Sequence, residues 1–143
     1  MQRFKGKNIL ITGAGSGFGR RTAELFASEG AKNIYLVDRL QDRLDASAQA
    51  IRELGANPVT ICADLGDMKQ CADVVAQALS VDKKLDVLIS NAAAWADTHF
   101  LDITDESWRH VLSVDLDAYF VLAQRAAKAM KDTGGGVILF TAS

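Results

Sequence analysis

Short apolar runs alternate with longer amphipathic segments along this chain. Five apolar runs predict strands at residues 8–11, 34–37, 58–63, 85–89 and 137–142. The runs are apolar throughout and do not alternate with polar positions, which is typical of parallel strands covered on both faces. The pattern therefore predicts a sheet buried between two layers of other elements.

The segments between these runs carry apolar residues at helical spacing. They predict helices over residues 20–30, 40–55 and 68–79, with Gly30 and Gly55 as stops, and a long helix over 104–131 that Thr104 caps. We expect the apolar faces of the long helix to be core. Strand and helix alternation predicts one α/β domain over residues 1–143, a doubly wound parallel sheet with strand order 3-2-1-4-5. Ligands bind such sheets at the carboxyl ends of strands one and four.

Composition narrows the class of protein. The formal net charge is −2, without a Lys/Arg cluster, which argues against a nucleic-acid surface. Cys62 and Cys71 do not form a metal-ligand pattern, and we expect reduced thiols. No apolar stretch approaches the ~18 residues of a membrane span. We expect a cytoplasmic protein without a metal, nucleic-acid or membrane partner.

A glycine-rich turn joins the first strand to the first helix. Glycines stand at positions 13, 15, 17 and 19, whereas a tight turn without a ligand needs only one or two. Such a turn lets a pyrophosphate approach the backbone and the helix N-terminus. Asp38 ends the second strand, where an acid can accept hydrogen bonds from ribose hydroxyls, although it could also be a solvated loop acid. The pattern predicts dinucleotide binding.

Three motifs resemble the classical short-chain dehydrogenase/reductase family, and the resemblance extends over the whole chain. They are Thr12-Gly13-x-x-x-Gly17-x-Gly19, the segment 85–93 around Asn91, and Gly136-x-Ile138-Leu139-x-x-Ala142-Ser143. The resemblance implies an NAD(P)-dependent oxidoreductase that moves a hydride between nicotinamide and a small alcohol or carbonyl substrate. It also implies a homo-oligomer, dimer or tetramer, through helix 104–131. The implied catalytic serine is Ser143, and the implied cofactor-binding residues are Gly13, Ser16, Gly17, Phe18, Gly19, Asp38, Arg39, Asp64, Leu65, Asn91, Ala92 and Ala93.

The sequence departs from the family pattern at two functional points. Asp115 stands where the family has a helix-borne catalytic Asn, and it either accepts hydrogen bonds in the same place or is a structural helix acid. The family's Tyr-x-x-x-Lys pair is not found, since neither Tyr35 nor Tyr119 has a lysine four residues later. The fifth run is also too apolar for an exposed edge strand. We therefore expect the N-terminal portion of a longer enzyme; the alternative is a non-catalytic dinucleotide-binding or assembly module.

The choice between NAD and NADP depends on a few single residues, as do the roles of the remaining candidate residues. Asp38 would repel a 2′-phosphate and Ser16 is not basic, which favours NAD over NADP. Arg39 argues the other way, because arginine pairs well with phosphate. His99 and His110 receive no role, and Trp95 is interpreted as a packing residue rather than a pocket residue.

Overall fold

The computed structural model describes residues 2–142 and contains one sheet of five parallel strands. The strand order β3-β2-β1-β4-β5 confirms the predicted doubly wound sheet. Each predicted run overlaps an observed strand, and its ends lie within two residues of the ends of that strand. The strands are β1 (Asn8–Thr12), β2 (Asn33–Asp38), β3 (Asn57–Cys62), β4 (Val87–Ser90) and β5 (Val137–Phe140).

Helices cover both faces of this sheet. They are α1 (Gly17–Ser28), α2 (Gln41–Glu53), α3 (Met68–Val81), α4 (Asp105–Leu112) and α5 (Ala118–Lys131). In β1, Ile9 and Ile11 pack into the layer formed with α1 and α2, and Leu10 packs into the layer formed with α3 and α5. Every position of a central strand therefore faces a covered layer, which is why the strands are apolar throughout.

The long helix predicted over residues 104–131 is wrong in one respect, because it is not a continuous α-helix. A π-helical turn, Ser113–Asp117, separates α4 from α5. Such a turn holds an extra residue and changes which side chains face the core on either side of it. The predicted cap at Thr104 is present, since its hydroxyl accepts a hydrogen bond of 3.1 Å from the Ser107 amide.

Not all apolar residues of this region face the core, although the sequence pattern predicted a core and the family resemblance implied a subunit interface through the same helix. One set is buried against α3 and the sheet: Ala118, Leu122, Ala126 and Met130. A second set is exposed over more than half of its surface: Trp108, Leu116 and Phe120. The helix is thus apolar on two sides, and residues 2–142 cover only one of them.

Three asparagines cross the amino-terminal end of the sheet at one level. Asn8, Asn33 and Asn57 are aligned in register on adjacent strands. The Asn57 amide group donates to the Asn33 side-chain oxygen, and that of Asn33 donates to Asn8, both at 2.8 Å. This ladder fixes the strand register at the end opposite the candidate site.

Asp86 anchors the same end of the sheet. Its buried carboxylate accepts a hydrogen bond of 3.0 Å from the Asn8 backbone amide. The Lys7 and Lys84 ammonium groups lie 3.2 and 3.1 Å from its Oδ1. Although burial raises the pKa of Asp86, these hydrogen bonds outweigh it and lower the pKa overall.

No helix within residues 2–142 combines the length and the apolarity needed to cross a membrane.

Candidate functional site

A cleft of about 750 Å³ opens at the carboxyl ends of the strands, between the ends of β1 and β4. It brings together nearly all the residues that the sequence analysis assigned to cofactor binding. Those that line it are Gly13, Ser16, Gly17, Phe18, Asp38, Arg39, Asp64, Leu65, Asn91, Ala92 and Ala93. Arg43, Trp95, His110, Val114 and Thr141 also line it, although the sequence analysis gave none of them a site role.

The glycine turn forms the floor of the cleft by close backbone packing. Gly13 and Gly17 have φ values of +65° and +52°, which side chains other than glycine rarely adopt. A β-carbon on Gly19 would collide with the Gly13 carbonyl oxygen, so Gly19 lies behind the lining and lets α1 pack onto the turn. A β-carbon on Gly17 would meet open space, which leaves room for a ligand there.

The N-terminus of α1 faces this turn without a side-chain cap. Ser16 occupies the N-cap position in an extended conformation, and its hydroxyl makes no capping hydrogen bond. The first turn of α1 also lacks an acidic residue. Its amide groups and the positive end of the helix dipole are therefore available to an anionic group.

Asp38 is held rigidly at the end of β2. Its Oδ2 accepts a hydrogen bond of 3.0 Å from the Gly15 amide, and its Oδ1 accepts one of 3.2 Å from the Leu40 amide. Each carboxylate oxygen keeps a lone pair for a further donor. Arg39 and Arg43 also line the cleft, and a β-carbon on Gly15 would lie 2.8 Å from both Arg43 and Asp38, so arginine side chains begin beside this acid.

The next strand contributes a second acid. Asp64 follows β3, and its Oδ1 accepts a hydrogen bond of 2.8 Å from the Gly66 amide, while Leu65 is buried beside it. His110 of α4 reaches this position, since a β-carbon on Gly66 would lie 3.2 Å from its Nδ1. Sequence reasoning missed His110 because only the tertiary packing of α4 brings it here.

The loop after β4 is held by Thr12. The buried Thr12 hydroxyl oxygen accepts hydrogen bonds from the Asn91 and Ala92 amides at 2.9 and 3.0 Å. The Asn91 side chain returns a hydrogen bond of 3.2 Å to the Thr12 carbonyl. Thr12 was part of the quoted motif but received no role, because its partners are about 80 residues away in sequence.

Of the two catalytic candidates, Asp115 and Ser143, the structure describes only Asp115. Asp115 lies in the π turn, is exposed, and accepts a hydrogen bond of 2.7 Å from the Ala94 amide, so its charge is not buried. Ser143 lies outside the described residues. Thr141, two residues earlier, donates to the Asn91 side-chain oxygen at 3.3 Å, so the segment after β5 runs beside the cleft.

Comparisons with known proteins agree with this geometry. An uncharacterized oxidoreductase of Thermotoga maritima is 31% identical over 98% of this chain and 55% of its own length. The L-sorbose reductase of Gluconobacter frateurii, solved with NADPH and L-sorbose, has a TM-score of 0.92 and 32% identity over 99% of this chain and 54% of its own. An NAD⁺-bound xylitol dehydrogenase gives a TM-score of 0.91 and 27% identity over the same shares.

The chain spans about half the length of these relatives. The family model described as short chain dehydrogenase matches residues 7–143, which include the glycine turn, both acids and the Asn91 loop. By that match and by the likeness of its fold, the chain belongs to the short-chain dehydrogenase family.

Proposed function

We propose that this protein is an NAD(P)-dependent oxidoreductase that transfers a hydride between nicotinamide and the carbonyl or hydroxyl carbon of a small molecule. The observation that carries the proposal is the cleft itself. The glycine turn, Asp38, Asp64 and the Asn91 loop come from four strand ends and line one cavity. That cavity lies where the winding of the sheet reverses, which is where dinucleotides bind in this class of fold.

The residues present fit a dinucleotide. The uncapped amides of α1 would hold the pyrophosphate above Gly17, where the backbone leaves open space. Asp38 would accept from the adenosine ribose, and Asp64 with Leu65 would border the adenine. Asn91, Ala92 and Ala93 would border the nicotinamide half. The bound cofactor supplies the hydride, and the protein supplies orientation and exclusion of water.

Within this proposal the cofactor is NAD rather than NADP. The Asp38 carboxylate is fixed by two backbone amides, so it cannot move away from a 2′-phosphate without losing both hydrogen bonds. Arg39 and Arg43 at the same position favour a phosphate, and the NADPH of the sorbose reductase shows that a structural neighbour accepts one. Comparing the dissociation constants of NADH and NADPH tests this choice; tighter binding of NADPH would refute it.

Two residues are proposed for the chemistry. Ser143 would hydrogen-bond the substrate oxygen and stabilise developing charge. Asp115 would take the place of the family's helix-borne Asn by fixing the loop through the Ala94 amide. We assign no proton-transferring residue within these 143 residues.

A second candidate function is a dinucleotide-binding or assembly module without catalysis. The specific observation in its favour is that Asp115 stands where the family has a helix-borne catalytic Asn. Such a module would bind the cofactor and turn over no alcohol or carbonyl substrate.

The wider proposal concerns the organisation of the protein. Residues 1–143 form one dinucleotide-binding domain of a cytoplasmic protein, a placement that the two free cysteines support. The protein forms a dimer or tetramer through residues 104–131, where Trp108, Leu116 and Phe120 are exposed. Light scattering on the wild type and on Leu116→Glu tests this, since the charge should produce monomers.

Fluorescence titration of NADH and NADPH tests the central proposal. Gly19→Ala should abolish binding, because its β-carbon would collide with the glycine turn. Gly55→Ala is the control for a general loss of stability, because an alanine there is strained at φ +87° but lies outside the cleft. A wild type that binds neither cofactor would refute both candidate functions. Cofactor binding without turnover across a panel of alcohols and ketones, measured on the protein expressed from its full reading frame, would favour the non-catalytic module.

A further inference from the structure

The side chain of Tyr119 joins the ends of two strands at the cleft. Its hydroxyl donates a hydrogen bond to the Ala92 carbonyl oxygen at 3.0 Å and lies 3.3 Å from the Thr141 carbonyl oxygen. Ala92 follows β4, and Thr141 follows β5. A phenol has one proton, so the hydroxyl can donate to either carbonyl and bridges the two strand ends.

Three backbone amides of the same loop also have acceptors. Thr12 accepts from the amides of Asn91 and Ala92, and Asp115 accepts from the amide of Ala94. Tyr119 supplies the donor in this set, because it takes the carbonyl of Ala92. Asp115 and Tyr119 are four residues apart, and the π turn ends between them. Both side chains therefore lie on one face of the helix and form hydrogen bonds with the loop.

The Tyr119 hydroxyl is a hydrogen-bond donor that stays protonated at neutral pH. Burial raises the pKa of Tyr119, and the Asp115 carboxylate raises it further, so the hydroxyl keeps its proton at neutral pH. The ring packs against Phe140 of β5 at 5.3 Å between centroids. Ring and hydroxyl therefore both connect α5 to the end of β5.

We propose that Tyr119 is a positioning residue that sets the nicotinamide-side wall of the cleft by tying the loop after β4 to the end of β5. The proposal rests on the proposed function, since the wall matters only if the cleft holds a nicotinamide cofactor. Tyr119 acts through the Ala92 and Thr141 backbones and leaves the adenosine side, formed by Asp38 and Asp64, unchanged.

Tyr119→Phe tests this proposal, and the chain's other tyrosine offers a matched control. Tyr35 is fully buried, and its hydroxyl has no partner among residues 2–142. Tyr35→Phe thus removes a hydroxyl that holds nothing, whereas Tyr119→Phe keeps the ring packing and removes the bridge. Both variants are made in the protein expressed from its full reading frame.

Two ligands separate positioning from general damage. The dissociation constant of NADH, or of NADPH if the wild type prefers it, should rise about three- to tenfold in Tyr119→Phe, the range expected for one lost hydrogen bond. The constant for ADP-ribose, which lacks nicotinamide, should stay within twofold of the wild type. Amide hydrogen exchange should become faster in residues 91–94 and at 141, and Tyr35→Phe should match the wild type throughout.

Three outcomes would overturn the proposal. They are unchanged cofactor affinity in Tyr119→Phe, unchanged exchange in residues 91–94, and an equal loss for NADH and ADP-ribose, which would indicate a merely structural role. A wild type that binds no dinucleotide fails at an earlier step and contradicts the proposed function instead.

Discussion

Replacing Thr12 with valine tests how the cleft is assembled. Valine has nearly the shape of threonine, so the substitution removes the hydroxyl oxygen and leaves the packing of β1 intact. That oxygen is the acceptor for the amides of Asn91 and Ala92, at 2.9 and 3.0 Å. Both amides would lose their partner, and the loop after β4 would lose its attachment to β1.

The magnitude follows from the burial of the groups involved. An unsatisfied buried amide costs roughly 1–3 kcal/mol. Thr12 is fully buried, but Asn91 is only partly so, and water can therefore replace part of one hydrogen bond. We expect Thr12→Val to lower the free energy of unfolding by about 2–3 kcal/mol. For a domain of this size each kcal/mol corresponds to about 3 °C, which gives a decrease in Tm of roughly 6–9 °C.

Urea denaturation followed by circular dichroism measures the loss, and NADH titration of the same variant measures the effect on the loop. Ser90→Ala is the matched control, because Ser90 is also buried at this end of the sheet and its hydroxyl has no partner in the described part of the chain. We expect that control to stay close to the wild type in both assays. A stability for Thr12→Val within 1 kcal/mol of the wild type, with unchanged NADH affinity, would refute the reasoning.

Three further predictions address other parts of the molecule. Asn33→Leu interrupts the asparagine ladder and leaves the Asn8 and Asn57 side chains without their partner. Urea denaturation should show that the free energy of unfolding falls by about 1–3 kcal/mol. Asn57→Leu, at the exposed end of the ladder, should lower it less. Asp86→Asn should have a lower free energy of unfolding than the wild type at pH 7. The difference should shrink as the pH falls below about 4, because a carboxyl whose pKa is lowered by folding stabilises the fold only while it is ionised. A constant difference in the free energy of unfolding down to pH 2 would contradict this. Gly15→Ala places a β-carbon 2.8 Å from an Asp38 carboxylate oxygen and 2.8 Å from the Arg43 β-carbon, so titration should show weaker binding of ADP-ribose and thermal denaturation a lower Tm.

The sheet could be predicted from sequence because its central strands are buried on both faces. Ile9, Leu10 and Ile11 face alternate layers, and each layer requires an apolar side chain. The apolar run is therefore a direct consequence of the architecture. The glycine turn was predictable for a similar local reason, since Gly13 and Gly17 adopt backbone angles that favour glycine.

Other features depend on contacts that no local pattern reports. The apolar spacing around the π turn did not distinguish it from an α-helix. Its Asp115 side chain contacts the Ala94 amide of a loop that is distant in sequence, and a local pattern does not report such a contact. His110 reaches the cleft only through the placement of α4. The apolar spacing around Leu116 and Leu122 predicted a helix correctly, but it could not show that the first is exposed and the second buried, because that depends on where α3 and the sheet lie.

The contacts at the cleft support the proposal that Asp115 takes the place of the family's Asn. At position 115 the structure uses one side-chain oxygen, as an acceptor for the Ala94 amide, and both Asp and Asn supply such an oxygen. The donor that a carboxylate lacks is present one helical turn later, where the Tyr119 hydroxyl donates to the carbonyl of Ala92. Asp115 thus accepts from the Ala94 amide and Tyr119 donates to the Ala92 carbonyl, so two residues on one helix face hold the loop, and the charge of Asp115 stays exposed to water. If both proposals hold, Tyr119→Phe should loosen the loop even though the Asp115 contact with the Ala94 amide is kept.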